Sequence, residues 1–118
     1  MSLRDTILTA EDLQSTTVDV PEWGVTVLLR GMTGKQRMQL VDQVAAKDKS
    51  YMYSDILIAL ALDPDTGKPI FDKADRETLS AKSGGVLERL ALEVMRISGV
   101  SVDEAEVEVE TDPTSDGA

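Results

Sequence analysis

The chain has 118 residues, 42% of them hydrophobic and only 3% aromatic, so it can bury one modest core built mainly from aliphatic side chains. Twelve basic and 22 acidic side chains give a net charge of −10, which disfavours binding to nucleic acid or to an anionic membrane. Cysteine and histidine are absent, which excludes disulfides and thiolate zinc sites and removes the commonest general base. No apolar run reaches the ~18 residues of a membrane span and no signal segment opens the sequence, so we expect an intracellular protein.

A short helix is predicted at the N-terminus, over residues 3–14. Its apolar members are Ile7, Leu8 and Leu13. Thr9 is a candidate N-cap, because acidic residues follow it where a first helical turn would lie.

A β-hairpin is predicted next, with strands at about 16–20 and 25–30. Both runs are rich in β-branched residues, and the four residues between them, 21–24, include the turn formers proline and glycine. A lone hairpin is marginal in water, so its apolar face should pack on the helices that follow.

Two helices are predicted in the middle of the chain. Thr33 and Gln36 have the spacing of a capping box, in which each side chain satisfies a backbone donor of the first turn. The apolar side chains that recur at helical spacing behind them are Met38, Val41, Val44 and Ala45. Residues 51–62 are nearly all apolar and predict a central buried helix, which Asp63 to Gly67 should end as a turn.

The last predicted helices begin at Asp72 and Ser83, both of which are good N-caps. Gly99 stands where a left-handed C-cap is expected. The apolar residues on one side of the final helix are Val86, Leu87, Leu90, Ala91, Val94 and Ile97. Arg89 and Glu93 are predicted to pair on its surface.

Residues 101–118 differ in composition from everything before them. They hold seven of the 22 acidic side chains and no basic one, so they carry −7 of the net charge of −10 and leave −3 for the rest. Few large apolar residues occur there, and we predict a flexible acidic tail. The predicted fold class is α+β and mainly helical: one domain over residues 1–100, with the N-terminal hairpin packed on a bundle of about four helices.

No arrangement of residues predicts catalysis, a metal site or a cofactor. Asp63, Asp65 and Gly67 suggest calcium, but the glycine and the final acid are out of register for an EF-hand loop. Gly31 to Lys35 lacks the spacing of a phosphate-binding loop. We therefore expect a protein that is not an enzyme and acts by binding another protein.

Three residues are candidates for protein binding. Trp23 is the single tryptophan and lies at the predicted hairpin tip, where an exposed aromatic would be a good interface anchor. Its alternative role is to fold back onto the helices. Leu92 lies on the polar side of the last helix, and Met95 could extend it into a patch.

The order of segments resembles the tail assembly chaperones of long-tailed phages and prophages. The resemblance covers roughly residues 5–100. It rests chiefly on two runs at their observed separation, VPEWG (residues 20–24, within VDVPEWG at 18–24) and DPDTGKPIF (residues 63–71). A long apolar helix lies between these runs, and the amphipathic helix that ends near Gly99 follows them.

The resemblance implies a chaperone without catalytic residues. Its partners would be the tape measure protein, kept soluble in the bacterial host cytoplasm, and the major tail tube protein that polymerises around it. It also implies a homo-oligomer that is absent from the mature virion, and a short form beside a frameshift-extended one. Two alternatives stay open: a structural tail or connector component of the virion, and an acidic mimic of DNA that inhibits a host enzyme.

Overall fold

The computed structural model describes residues 2–100 and has the predicted α+β, mainly helical fold. The helices are α1 (Leu3–Thr9), α2 (Gly34–Ala45), α3 (Met52–Leu60), α4 (Arg76–Ser80) and α5 (Gly84–Ile97), with a short 3₁₀ turn at Lys73–Asp75. The strands are β1 (Ser15–Val20), β2 (Val25–Arg30) and β3 (Ala61–Leu62). The predicted acidic tail, 101–118, lies outside the described residues. No helix within 2–100 is long and apolar enough to cross a membrane.

The predicted hairpin is confirmed. β1 and β2 pair antiparallel from Ser15 opposite Arg30 to Val20 opposite Val25, and Gly24 takes the positive φ of 68° that the tight turn requires. Alternate side chains on one face point into the core, where Val20, Val27 and Leu29 are buried.

The central helix is shorter than its sequence predicts. It ends at Leu60, and the next two residues form β3, which pairs antiparallel with β2 through Leu29 opposite Ala61 and Leu28 opposite Leu62. The prediction of a helix through residue 62 was therefore wrong at its end. The reason is that a continuous apolar run suits a buried strand as well as a buried helix, and here the run supplies both.

The core lies between the inner face of the sheet and helices α3 and α5. Its fully buried side chains include Leu29 from the sheet, Leu57 from α3, and Leu90 and Val94 from α5. The apolar stripe predicted for α5 is largely confirmed, because five of its six members are buried and Ile97 packs on the core at the helix end. The helices thus stabilise the sheet by covering its apolar face.

The prediction of the N-terminal helix was wrong in its cap and its length. Ser2, not Thr9, caps α1 by accepting a hydrogen bond from the backbone N–H of Asp5 at 3.1 Å. Thr9 instead ends the helix, and its hydroxyl donates back to the carbonyl of Asp5 at 2.8 Å. Residues 10–14 are irregular, and every residue from 2 to 14 is exposed.

The other caps formed as the sequence predicts. Thr33 and Gln36 make the reciprocal hydrogen bonds of a capping box, and Ser83 caps α5. At the C-terminus of α5, Gly99 has a φ of 76° and Val100 donates its N–H to the carbonyl of Met95 at 2.8 Å, as in a Schellman motif.

Candidate protein-binding surfaces

A bidentate salt bridge between Arg89 and Glu22 holds the hairpin tip against α5. Both guanidinium nitrogens of Arg89 donate to the carboxylate of Glu22 at 2.9 Å. The predicted pair of Arg89 with Glu93 was wrong, because Glu93 binds Arg96 within α5. The hydrogen bonds from Arg89, and then from its own backbone N–H, lower the pKa of Glu22 from 4.5 to about 2.

Trp23 is half-buried at this tip and packs on the core. Its backbone N–H donates to the carbonyl of Val20 at 3.0 Å, which fixes the turn. The alternative role considered for this residue, folding back onto the core, is therefore present, and a binding role for its exposed part stays a prediction.

Leu92 and Met95 lie in different environments. Leu92 is 37% exposed and lies three residues after Arg89, which binds Glu22 of the hairpin tip. Met95 is only 3% exposed and belongs to the core, so its side chain is not offered to a partner by the single chain. We name Trp23, Leu92 and the exposed Val25 the tip surface; protein binding there stays a prediction.

A second surface, which the sequence did not indicate, is an open groove of about 700 Å³ between α2 and α3. Its apolar floor consists of Met32, Leu40, Ile56, Ile58, Ala59 and Leu60. We name it the α2–α3 groove. It arises because α2 turns only Leu40 fully into the core. Met38, predicted on the inner face of α2, is 57% exposed instead.

The polar wall of the groove is organised by Asp55. Its two carboxylate oxygens accept hydrogen bonds from Arg76 at 2.9 and 2.7 Å, and Gln43 donates to it at 2.9 Å. Arg76 in turn lies over the ring of Tyr51, 4.0 Å from its centroid. The hydrogen bond to Asp55 raises the pKa of Arg76, so this wall stays charged but internally paired.

A third surface is the N-terminal segment of residues 2–14, which we name the N-terminal arm. Eight large apolar side chains are exposed within the described part of the chain, and four of them lie in this arm. They are Leu3, Ile7, Leu8 and Leu13. Ile7, Leu8 and Leu13 were predicted as the apolar members of the first helix, and the structure leaves them exposed together with Leu3.

The two segments tested for chemistry form ordinary turns and caps. Asp63 accepts a hydrogen bond from the N–H of Asp65 at 2.8 Å, and Gly67 closes the turn with a φ of 72°. Gly31 and Thr33 lead into the capping box of α2. Within residues 2–100, no group of three or more acidic side chains lies where it could hold a metal ion.

Comparison with known proteins supports one of the classes of function. No family model and no curated protein match the chain. The solved structure of the bacteriophage HK97 tail assembly chaperone does, with a TM-score of 0.60 and 25% sequence identity over 80% of this chain and 91% of that one. The chain resembles a phage tail assembly chaperone. The resemblance expected from the order of its segments is thereby confirmed, and it supports a chaperone role.

Proposed function

We propose that this chain is a phage tail assembly chaperone that binds the tape measure protein in the bacterial host cytoplasm. By holding that long client in solution it assists the major tail tube protein to polymerise, and it does not remain in the mature virion. The observation that carries the proposal is the similarity to the HK97 tail assembly chaperone over most of both chains. We also propose that the chain acts as a homo-oligomer.

The surface chemistry is suited to such a role. A protein that holds an apolar client needs exposed apolar side chains, and the tip surface supplies them. It also needs charge to keep the complex in solution, and the chain carries −10.

Co-expression with the tape measure protein encoded in the same genome tests the proposal. We expect the client to be insoluble alone, soluble with this chain, and recovered with it on affinity purification. An insoluble client in the presence of soluble chaperone would contradict the proposal. So would recovery of the chain in stoichiometric amounts from purified virions, which would indicate a structural component.

The tip surface can be tested in the same experiment. Leu92→Glu places a charge where an apolar client would pack, and we expect it to lower the soluble fraction of the client several-fold. Ile70→Glu is the matched control, because Ile70 is similarly exposed, at 40%, in a different part of the molecule. Equal effects of the two variants would exclude the tip surface as the client site.

A further inference from the structure

We propose that the N-terminal arm of one copy docks in the α2–α3 groove of a second copy. This inference deepens the proposed function, because it names the contact through which the chaperone would oligomerise. It rests on the arm, the groove and the way they are joined.

The arm is a helix without support in the single chain. Isolated helices shorter than about 12–15 residues are marginal in water, because the first turn is costly to form. α1 has seven residues and none of them is buried. Among residues 2–100 its cap and its threonine hydrogen bonds are all local, so the body gives it no hydrogen-bonded support. A partner that buries the apolar side of α1 would stabilise the helix.

The groove matches the arm in chemistry and size. Leu3 and Ile7 are four residues apart and therefore lie on one side of α1, which at 1.5 Å per residue is about 10 Å long. The floor of the groove is aliphatic, and its lining includes Ala59, a small exposed residue that leaves room for such side chains. A volume of about 700 Å³ is sufficient for several aliphatic side chains.

The charges on the two surfaces are compatible. Within the described residues, Arg4 and Asp5 of the arm pair only with each other, at 3.3 Å and with both side chains well exposed, so their bond is worth little and is easily exchanged. In the groove, Asp42 and Lys73 make no ion pair within residues 2–100. Arg4 with Asp42 and Asp5 with Lys73 therefore allow two intermolecular pairs, and the other charges of the arm, Glu11 and Asp12, lie beyond the end of α1.

The way the arm is attached favours a second copy over the chain's own groove. The carbonyl of Gln14, at the base of the arm, accepts a hydrogen bond from Gly31 at 2.8 Å, directly beside Met32 of the groove. Although it starts at the edge of its own groove, the arm leaves that groove open and stays fully exposed. Docking between copies joins two different surfaces, so each added copy leaves one arm and one groove free.

Two variants separate the halves of the contact. Ala59→Arg fills the groove at an exposed helical position, and Leu3→Ser with Ile7→Ser removes the apolar side of the arm. Met38→Gln is the control, because Met38 is exposed on α2 but does not line the groove. Unchanged thermal midpoints would show that all three variants fold.

Sedimentation velocity of the chain without client gives the result, at concentrations on the order of 100 μM, which suit a small interface. We expect the wild type and Met38→Gln to at least double their mean mass, and the groove and arm variants to remain monomers. Mixing those two variants should give a one-to-one dimer, because one retains a working arm and the other a working groove.

Three results would overturn the inference: a monomeric wild type, self-association that survives both variants, or a mixture that stays monomeric. A monomer whose arm amides are protected from exchange would place the arm in its own groove, and would also overturn it. Client solubilisation is measured separately, so a monomer that still solubilises the tape measure protein refutes this inference and the proposed homo-oligomer, but leaves the chaperone role intact. A chain that self-associates through the arm but leaves the client insoluble refutes only the proposed function.

Discussion

Leucines in the body and in the N-terminal arm have opposite environments in the same small chain. Leu57 of α3 and Leu90 of α5 are fully buried, whereas Leu3 and Leu8 of α1 are 75% and 65% exposed. All four occur in apolar patterns at helical spacing. The difference predicts that the body folds without the arm, and it is the basis of the proposal that the arm's apolar side chains serve a contact outside the single chain.

The largest effect on stability is expected from a pair of leucine truncations, one in the body and one in the arm. Leu57→Ala should lower the free energy of unfolding by about 2–5 kcal/mol, because it leaves a cavity in a close-packed core. Leu8→Ala should change it by less than about 0.5 kcal/mol, as for other exposed sites. Urea denaturation of the dilute proteins measures both, and a comparable loss from Leu8→Ala would show that the arm packs on the body.

Helix caps provide a second, smaller comparison. Thr33→Ala removes the capping box of α2 and should cost about 1 kcal/mol of global stability. Ser2→Ala removes the equivalent cap of α1, and we expect the urea midpoint to stay where it is, because unfolding α1 exposes nothing that was buried. A lower midpoint for Ser2→Ala would mean that the arm and the body unfold together.

Acid should weaken the bond that holds the hairpin tip to α5. The pKa of Glu22 is lower in the folded chain, at about 2, than its ordinary 4.5, so the stability it contributes is present above pH 4.5 and is lost as the pH falls to about 2. Glu22→Gln should therefore be less stable than the wild type at neutral pH, with a difference that shrinks through that window. Denaturant titrations at a series of pH values test this. Arg89→Gln should show the same loss of pH dependence if the pair is the cause.

Deletion of residues 101–118 should have the smallest effect. Their composition offers little to a core, and Val100, the last described residue, is already buried and hydrogen-bonded to Met95. We expect the thermal midpoint of the shortened chain to match that of the full chain. A clear drop would contradict the prediction of a flexible tail.

Those parts of the fold that depend on local chemistry could be predicted from the sequence. The hairpin follows from alternation and a Pro-Glu-Trp-Gly turn, and the cap at Thr33 follows from the fixed reach of a side chain to a backbone N–H three residues away. The end of α3 could not be predicted, because Ala61 and Leu62 are apolar in either conformation and become a strand only by pairing with β2.

Surfaces were harder to predict, because they depend on how far the elements lie from one another. Met95 is one helical step from Val94, and whether it faces a partner or the core depends on how widely α5 is covered by the sheet and α3. The α2–α3 groove lies between two helices, and no pattern within α2 alone records the space between them. Trp23 and Leu92 were placed at or near the surface, and their binding role stays a prediction.

Three parts of the molecule meet at Gly31. A Cβ at this position would lie 3.4 Å from the carbonyls of both Gln14 and Ile97, so the base of the arm, the end of β2 and the end of α5 meet around one residue. The Ser98 hydroxyl also accepts the N–H of Met32 at 2.8 Å there. If a neighbouring copy pulls on the arm, the force acts on the hydrogen bond between Gly31 and Gln14 before it reaches the core. The same junction lies at the end of α5, from which the chain continues toward residue 101.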